Sequence, residues 1–253
     1  MHAASPTSAA PAPAPTPTDE LRAALDLLAD RPVLALTGAG VSTDSGIPDY
    51  RGPGAPVRTP MTYQEFVSGP VAQQRYWARS HLGWSRMGTA RPNAGHHAVA
   101  ALEHGGRVTL TITQNVDGLH EAAGSQNLCA LHGRVAEVVC LSCRTTSSRA
   151  ELAARLEELN PAWLARHRDV AVGARGDVDL DETDGFVVPG CSACGGVLKP
   201  DVVFFGESVP RERVEAAYAQ LVGRRRRGCG GGGGGGVHGP TVRRPVWTTR
   251  RNS

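Results

Sequence analysis

The sequence predicts an α/β fold, a parallel sheet of the dinucleotide-binding kind with a small zinc ribbon set into it. Three observations carry this. The apolar run Val33-Leu34-Ala35-Leu36 passes straight into Gly38-Ala39-Gly40, as a buried parallel strand does when it feeds a phosphate-binding turn. A second strand pattern, Val108 to Thr113, ends in the polar turn Gln114-Asn115-Val116-Asp117, and ligands of open α/β sheets gather beyond such strand ends. Two CxxC knuckles, Cys140 to Cys143 and Cys191 to Cys194, stand forty-seven residues apart, the ligand pattern of a ribbon around one tetrahedral ion.

Composition narrows the setting. The 253 residues are 40% hydrophobic, enough for one domain with a small appendage, and no apolar run approaches the roughly eighteen residues of a membrane span. The net charge of +3 belongs to the C-terminal end: residues 223–253 hold eight arginines and no acid, leaving nineteen basic against twenty-four acidic residues elsewhere. The folded part is therefore mildly acidic, so the overall basic balance says nothing about its partner, and nucleic acid is not the expected one. Four of the six cysteines sit in the knuckles and no secretory signal precedes them, so metal is expected rather than disulfides, in a reducing cytoplasm. Residues 1–18 are rich in Ala, Pro, Ser and Thr without an apolar h-region, and read as a disordered leader.

Along the chain, Leu21, Leu25 and Leu28 recur at helical spacing and should lay a short helix against the first strand. In the turn that follows, Gly38 and Gly40 remove the Cβ atoms that would hold a pyrophosphate away, and a helix starting near Ser42 supplies amide donors. The ordinary dinucleotide fingerprint fails, because Thr43 stands where its third glycine belongs; a P-loop fails too, since the only lysine is Lys199. Helical pieces are expected at 63–67 and 70–82. His96 and His97 open a helix running to Leu102 and, being adjacent, face different ways, so a packing role is expected and not a metal site.

Between the knuckles, Ala150 to Leu159 has helical spacing with Ser148 as cap and Asn160-Pro161 as stop, and the acidic stretch 177–184 reads as a solvated loop. A redox dithiol would open a helix, whereas these knuckles adjoin small-residue turns. Four sulfur ligands leave no open position, so the ion is structural. Cys129 reads as a small buried hydrophobe. Val202-Val203-Phe204-Phe205 suits another core strand or contact with an aliphatic substrate side chain, and both can hold on alternate faces.

Taken together, Gly38-Ala39-Gly40 with Gly46-Ile47-Pro48-Asp49-Tyr50-Arg51-Gly52, then Gln114-Asn115-Val116-Asp117, Leu131-His132-Gly133, the knuckles and Lys199 to Glu207 resemble the sirtuins, the NAD-dependent protein deacylases. The long insertion between the knuckles resembles the class II branch. The resemblance implies a Rossmann-like sheet in which Gly38, Ala39, Gly40, Ser42 and Thr43 approach NAD. It implies that Asp49, Tyr50 and Arg51 lie in a mobile loop over the nicotinamide ribose, and that Gln114, Asn115 and Asp117 hold nicotinamide and its ribose. His132 matches the catalytic base, with His120 structural. Cys140, Cys143, Cys191 and Cys194 match the ligands of one Zn2+. Val202, Val203, Phe205, Gly206 and Glu207 match the segment that lines the acyl-lysine tunnel, where the substrate peptide pairs as an added strand. Tyr76 and Arg79 resemble a pair that some members use to read acidic acyl groups, though aromatic packing is the expectation here.

The implied reaction moves an acyl group from a lysine of a protein or peptide to ADP-ribose and releases nicotinamide. Two alternatives stand beside it: ADP-ribosyl transfer to a protein, and an inactive zinc- and NAD-binding module whose basic tail contacts nucleic acid. The resemblance covers residues 20 to 222. The expected organisation is a leader at 1–18, an incomplete catalytic domain at 19–222 with a zinc module at about 137–196 inserted, and a disordered Arg/Gly-rich tail at 223–253. Where the family continues with an apolar strand, Arg224 to Arg227 and a glycine run at 230–236 appear. A truncation or lost reading frame after about residue 222 is therefore expected, with the family's C-terminal strands missing and activity diminished.

Overall fold

The computed structural model describes residues 17–28, 31–49, 60–87, 89–167, 180 and 182–227, with the backbone alone at Pro17, 85–87 and 220–227. Two three-stranded sheets organise it. In the first, β1 (Val33–Thr37), β2 (Val108–Thr113) and β3 (Leu128–Ala130) run parallel in that order. The register sets Thr37 opposite Thr113 and Thr113 opposite Ala130, so three strand ends finish level. The Gln114 amide then donates to the Thr37 carbonyl at 3.0 Å and the Leu131 amide to that of Thr113 at 2.9 Å.

Strand β2 is the centre of this sheet, and Leu110 and Ile112 are buried with Leu34, Cys129 and Leu131 against Ala217 of α8 (Arg211–Arg227). Helix α4 (Ala94–His104) packs on the same strand. Strand β1 departs from the expectation of cover on both faces: its residues are half-buried and Leu36 is 60% exposed. Among the described residues β1 pairs only with β2, so its other edge has no strand. Helix α1 (Pro17–Leu28) forms as the leucine spacing predicts, but Leu21, Leu25 and Leu28 stay more than half exposed. No described element covers them, and α1 is not part of the core.

The second sheet is antiparallel, β5 (Thr146–Ser148), β4 (Gly133–Cys140) and β6 (Leu198–Val202) in spatial order. Its β4 begins immediately after His132 and ends at Cys140, so one strand ties the candidate base to the first metal ligand. Helices α3 (Pro70–Met87), α6 (Arg149–Leu159) and α7 (Pro161–Arg166) enclose a core of Trp77, Val138, Leu152, Leu156, Trp163, Phe186 and Leu198. Trp77 fastens α3 to β6 by donating from Nε1 to the Leu198 carbonyl at 3.0 Å. Ser148 and Glu151 form the capping box that starts α6, satisfying amides that have no partner inside the helix. Short helices α2 (Tyr63–Phe66) and α5 (Leu119–Ala122) complete the elements.

One boundary is corrected. Arg224 to Arg227, expected in a disordered tail, prolong α8 to Arg227. Arginine is a good helix former, and cations suit a helix C-terminus. The glycine run at 230–236 and the leader up to residue 16 lie outside the described residues. Among the described residues no helix is long and apolar enough to cross a membrane.

Candidate active site

The turn after β1 is a 3-10 helix over Ala39–Ser45, starting three residues before the helix expected from Ser42. The Val41 amide bonds the Gly38 carbonyl at 3.1 Å, and the Thr43 hydroxyl donates to that of Gly40 at 2.9 Å. Nothing lies within 4 Å of where a Cβ would stand on Gly38 or Gly40, so the backbone is open to a ligand that must approach it closely. Ser42 is instead turned inward and buried. Its hydroxyl donates to Asp117 Oδ2 at 2.7 Å and accepts from Asn115 Nδ2 at 3.0 Å. Asn115 Nδ2 also reaches the Gly38 carbonyl at 3.1 Å. The two polar turns, far apart in the chain, form one hydrogen-bonded unit, with Gln114 exposed at its rim.

Two histidines read from sequence as structural belong to this unit. His96 is fully buried and serves in the capping box of α4, its Nδ1 accepting from the Asn93 amide at 3.3 Å. With Nδ1 an acceptor, the proton sits on Nε2, which lies 3.5 Å from the Ser42 hydroxyl. His120 Nε2 meets the Thr37 hydroxyl at 2.9 Å, and its ring stands 4.9 Å from that of His96. Burial holds both imidazoles below their ordinary value, with the neighbouring His120 adding to the effect on His96. Asn at the cap and His three residues on was the available sequence signal; the reach of His96 to Ser42 was not legible. His97 is exposed.

His132 is half-buried where β3 leads into β4. Its ring bonds the Gln114 backbone, which raises its affinity for a proton, but burial outweighs this and, with the Arg213 charge, holds the imidazole below 6.5. The backbone here is tightly constrained. Gly133 has φ +82°, and a Cβ on it would stand 1.8 Å from the Asp201 carbonyl oxygen. The His132 carbonyl accepts from the Val203 amide at 2.9 Å, which places the apolar segment directly beside the histidine.

Val202 and Val203 are half-buried, while Phe205 is 54% exposed. The Phe205 carbonyl accepts from the Tyr63 amide at 3.0 Å, and that of Gly206 from Gln64 Nε2 at 3.1 Å. Phe204, absent from the predicted set, is buried against Phe66 and Tyr76. Tyr76 thus takes part in aromatic packing, and Arg79 Nε donates to the Leu180 carbonyl at 2.8 Å. Asp49 is half-buried; Tyr50 and Arg51 lie outside the described residues.

The sulfur atoms of Cys140, Cys143, Cys191 and Cys194 all lie within 4.8 Å of one another. Cys140 and Cys194 are 3.6 Å apart, Cys143 and Cys191 3.7 Å. Four thiolates at the Zn–S distance of 2.3 Å would stand about 3.8 Å apart in a tetrahedron, so the donor set and its spacing fit zinc. Neither knuckle opens a helix. Hydrogen bonding to Thr145 brings the Cys143 thiol down to about 6, whereas the neighbouring thiols Cys143 and Cys140, against a favourable Gly196 amide, leave Cys194 up at about 11. Crowded thiols resist joint ionisation, and a bound dication removes that obstacle.

Comparison with known proteins gives the same assignment from another direction. Residues 38–223 match the model of the Sir2 family. The NAD-dependent protein deacetylase 1 of Streptomyces coelicolor is 56% identical over 204 residues, covering 78% of this chain and 67% of that protein. The NAD-dependent protein deacetylase of Xanthomonas campestris pv. campestris strain 8004 is 55% identical over 193 residues, covering 75% and 65% respectively. The chain thus spans about two thirds of the length of these relatives. A solved complex of Sir2 with a p53 peptide and NAD+ superposes with a TM-score of 0.59 at 32% identity, over 79% of this chain and 70% of that one. Sir2Tm bound to a propionylated peptide does so with 0.55 at 30% identity, over 79% and 70%.

Proposed function

Because this chain belongs to the Sir2 family, we propose that its strand-end site carries out NAD-dependent removal of acyl groups from lysine, transferring the acyl group to ADP-ribose and releasing nicotinamide. One observation supports this most directly: Ser42, Asn115 and Asp117 join the glycine turn and the second polar turn into one cradle, beside His132. Bound NAD supplies an electrophilic ribose carbon and a nicotinamide leaving group. Gly38, Ala39, Gly40 and Thr43 present open backbone to its phosphates. Gln114, Asn115 and Asp117 orient the carboxamide and ribose. In this reading Asp49, Tyr50 and Arg51 close over the same end of the ligand.

His132 takes a proton from a ribose hydroxyl, for which it must be neutral. Burial already keeps it so near pH 7. Val202, Val203, Phe205, Gly206 and Glu207 form the wall along which the acylated peptide lies. The four cysteines hold one zinc ion that fixes the module and leaves no coordination position for substrate. The partners are accordingly acyl-lysine proteins or peptides, and a cytoplasmic setting suits reduced thiolate ligands. In domain terms, residues 19–222 form the catalytic part and about 137–196 its zinc module.

The test incubates purified protein with NAD and peptides bearing several acyl-lysines, following nicotinamide release. Release that requires the acylated peptide and disappears in His132→Ala supports the reading. Release without acylated peptide favours ADP-ribosyl transfer, and none under any condition favours an inactive module.

A further inference from the structure

We propose that Lys199 is a positioning residue, whose ammonium is clamped inside the turn from Val202 to Glu207 and sets the place of the acyl-peptide wall. This rests on the reading of that turn as the peptide-binding segment. Lys199 lies on β6 with its side chain 3% exposed, a rare state for lysine unless it is paired. Its Nζ donates to the Val202 carbonyl at 2.5 Å and the Pro200 carbonyl at 3.3 Å, and stands 3.0 Å from Glu207 Oε2. The Phe204 ring lies under the ammonium, centroid at 4.6 Å.

The same Glu207 oxygen accepts from the Phe204 amide at 2.8 Å, and the Glu207 amide returns a bond to the Phe204 carbonyl at 3.0 Å. Lysine and glutamate therefore brace the turn from inside. Outward, the Val203 amide donates to the His132 carbonyl, while the Phe205 and Gly206 carbonyls accept from the Tyr63 amide and Gln64 Nε2 and tie the turn to α2. A displaced ammonium would release the turn at Val202 and Glu207 together. The Val203 to His132 bond, held between them, would loosen with it. Burying a charge in this way is costly unless its partners are fixed, and these partners are fixed by a segment whose shape the peptide reads.

The experiment compares wild type, Lys199→Met, Glu207→Gln and the double variant. Backbone hydrogen exchange is measured across residues 198–207, with affinity for an acetyl-lysine peptide and for NAD measured separately. In Lys199→Met the amides of Val203, Phe204 and Glu207 lose protection, peptide affinity falls at least tenfold, and NAD affinity stays within twofold. Glu207→Gln, which keeps an acceptor for the Phe204 amide, shows a smaller loss, and the double variant recovers part of the Lys199→Met defect by removing the unpaired carboxylate. Unchanged exchange at those three amides, or equal losses of peptide and NAD affinity, would overturn the proposal. Wild-type protein that binds no acylated peptide would defeat the substrate reading instead, while the exchange pattern still decides whether the clamp exists.

Discussion

The hydroxyl of Ser42 donates to the carboxylate of Asp117 across 2.7 Å, although seventy-five positions of sequence separate them. That bond, with the one from Asn115, is what makes a single cradle of two turns. A charge-assisted hydrogen bond contributes about 1.5–3 kcal/mol. Ser42→Ala and Asp117→Asn should each weaken NAD binding roughly tenfold to a hundredfold by that scale. Calorimetric titration of both single variants and the pair should give strongly non-additive losses; additive losses would show that the two turns act separately.

The histidines predict an acid limit. His81, His96, His120 and His132 are all held below 6.5, chiefly by burial. The fold thus binds fewer protons than the unfolded chain, so the stability they contribute is complete above 6.5 and is lost as pH falls toward the depressed folded values. Thermal midpoints should be level from pH 7 to 8 and drop below pH 6.5. A phenylalanine at His96, which cannot protonate, should flatten part of that slope even while it weakens the α4 cap.

Gly133→Ala should be among the most damaging single substitutions. The left-handed φ of +82° and the Asp201 oxygen 1.8 Å from a new Cβ both forbid it, and strain together with displacement should exceed about 3 kcal/mol. Denaturant unfolding would measure the loss. A Gly133→Ala protein as stable as wild type would contradict the close approach of β4 to β6.

Removal of zinc should loosen the module before the parallel sheet. Chelation by a strong ligand should expose Trp163, which is 2% accessible in the same core as Cys140 and Cys191, and tryptophan fluorescence should shift to the red. Readdition should release protons to the medium, because Cys194 remains a thiol up to about 11 until a metal takes it. Cys191→Ser should abolish both responses.

The parallel strands, the two turns and the knuckles were legible because each depends on local pattern: apolar runs, glycine spacing, paired cysteines. What escaped was set by partners far off in sequence. Phe204 turns to the core while its neighbour Phe205 stays exposed, and alternation alone could not say that the partners receiving it would be Tyr76 and Phe66. The role of His96 required knowing that Asn93 turns its amide side chain to Val41 at 2.7 Å, bringing α4 onto the glycine turn. Helix α1 shows the converse: its leucine spacing specified a helix correctly but said nothing about a surface to receive it.

The enclosure of Lys199 has a final implication. No other position in the 253 residues is lysine, and the side chain of this one is almost wholly withdrawn from solvent. A Sir2-family chain, whose relatives are deacetylases, therefore presents within these residues no exposed lysine amine of its own. Within these residues, a second copy finds no open lysine to work on and a reactive acyl donor meets no exposed lysine amine while the fold holds.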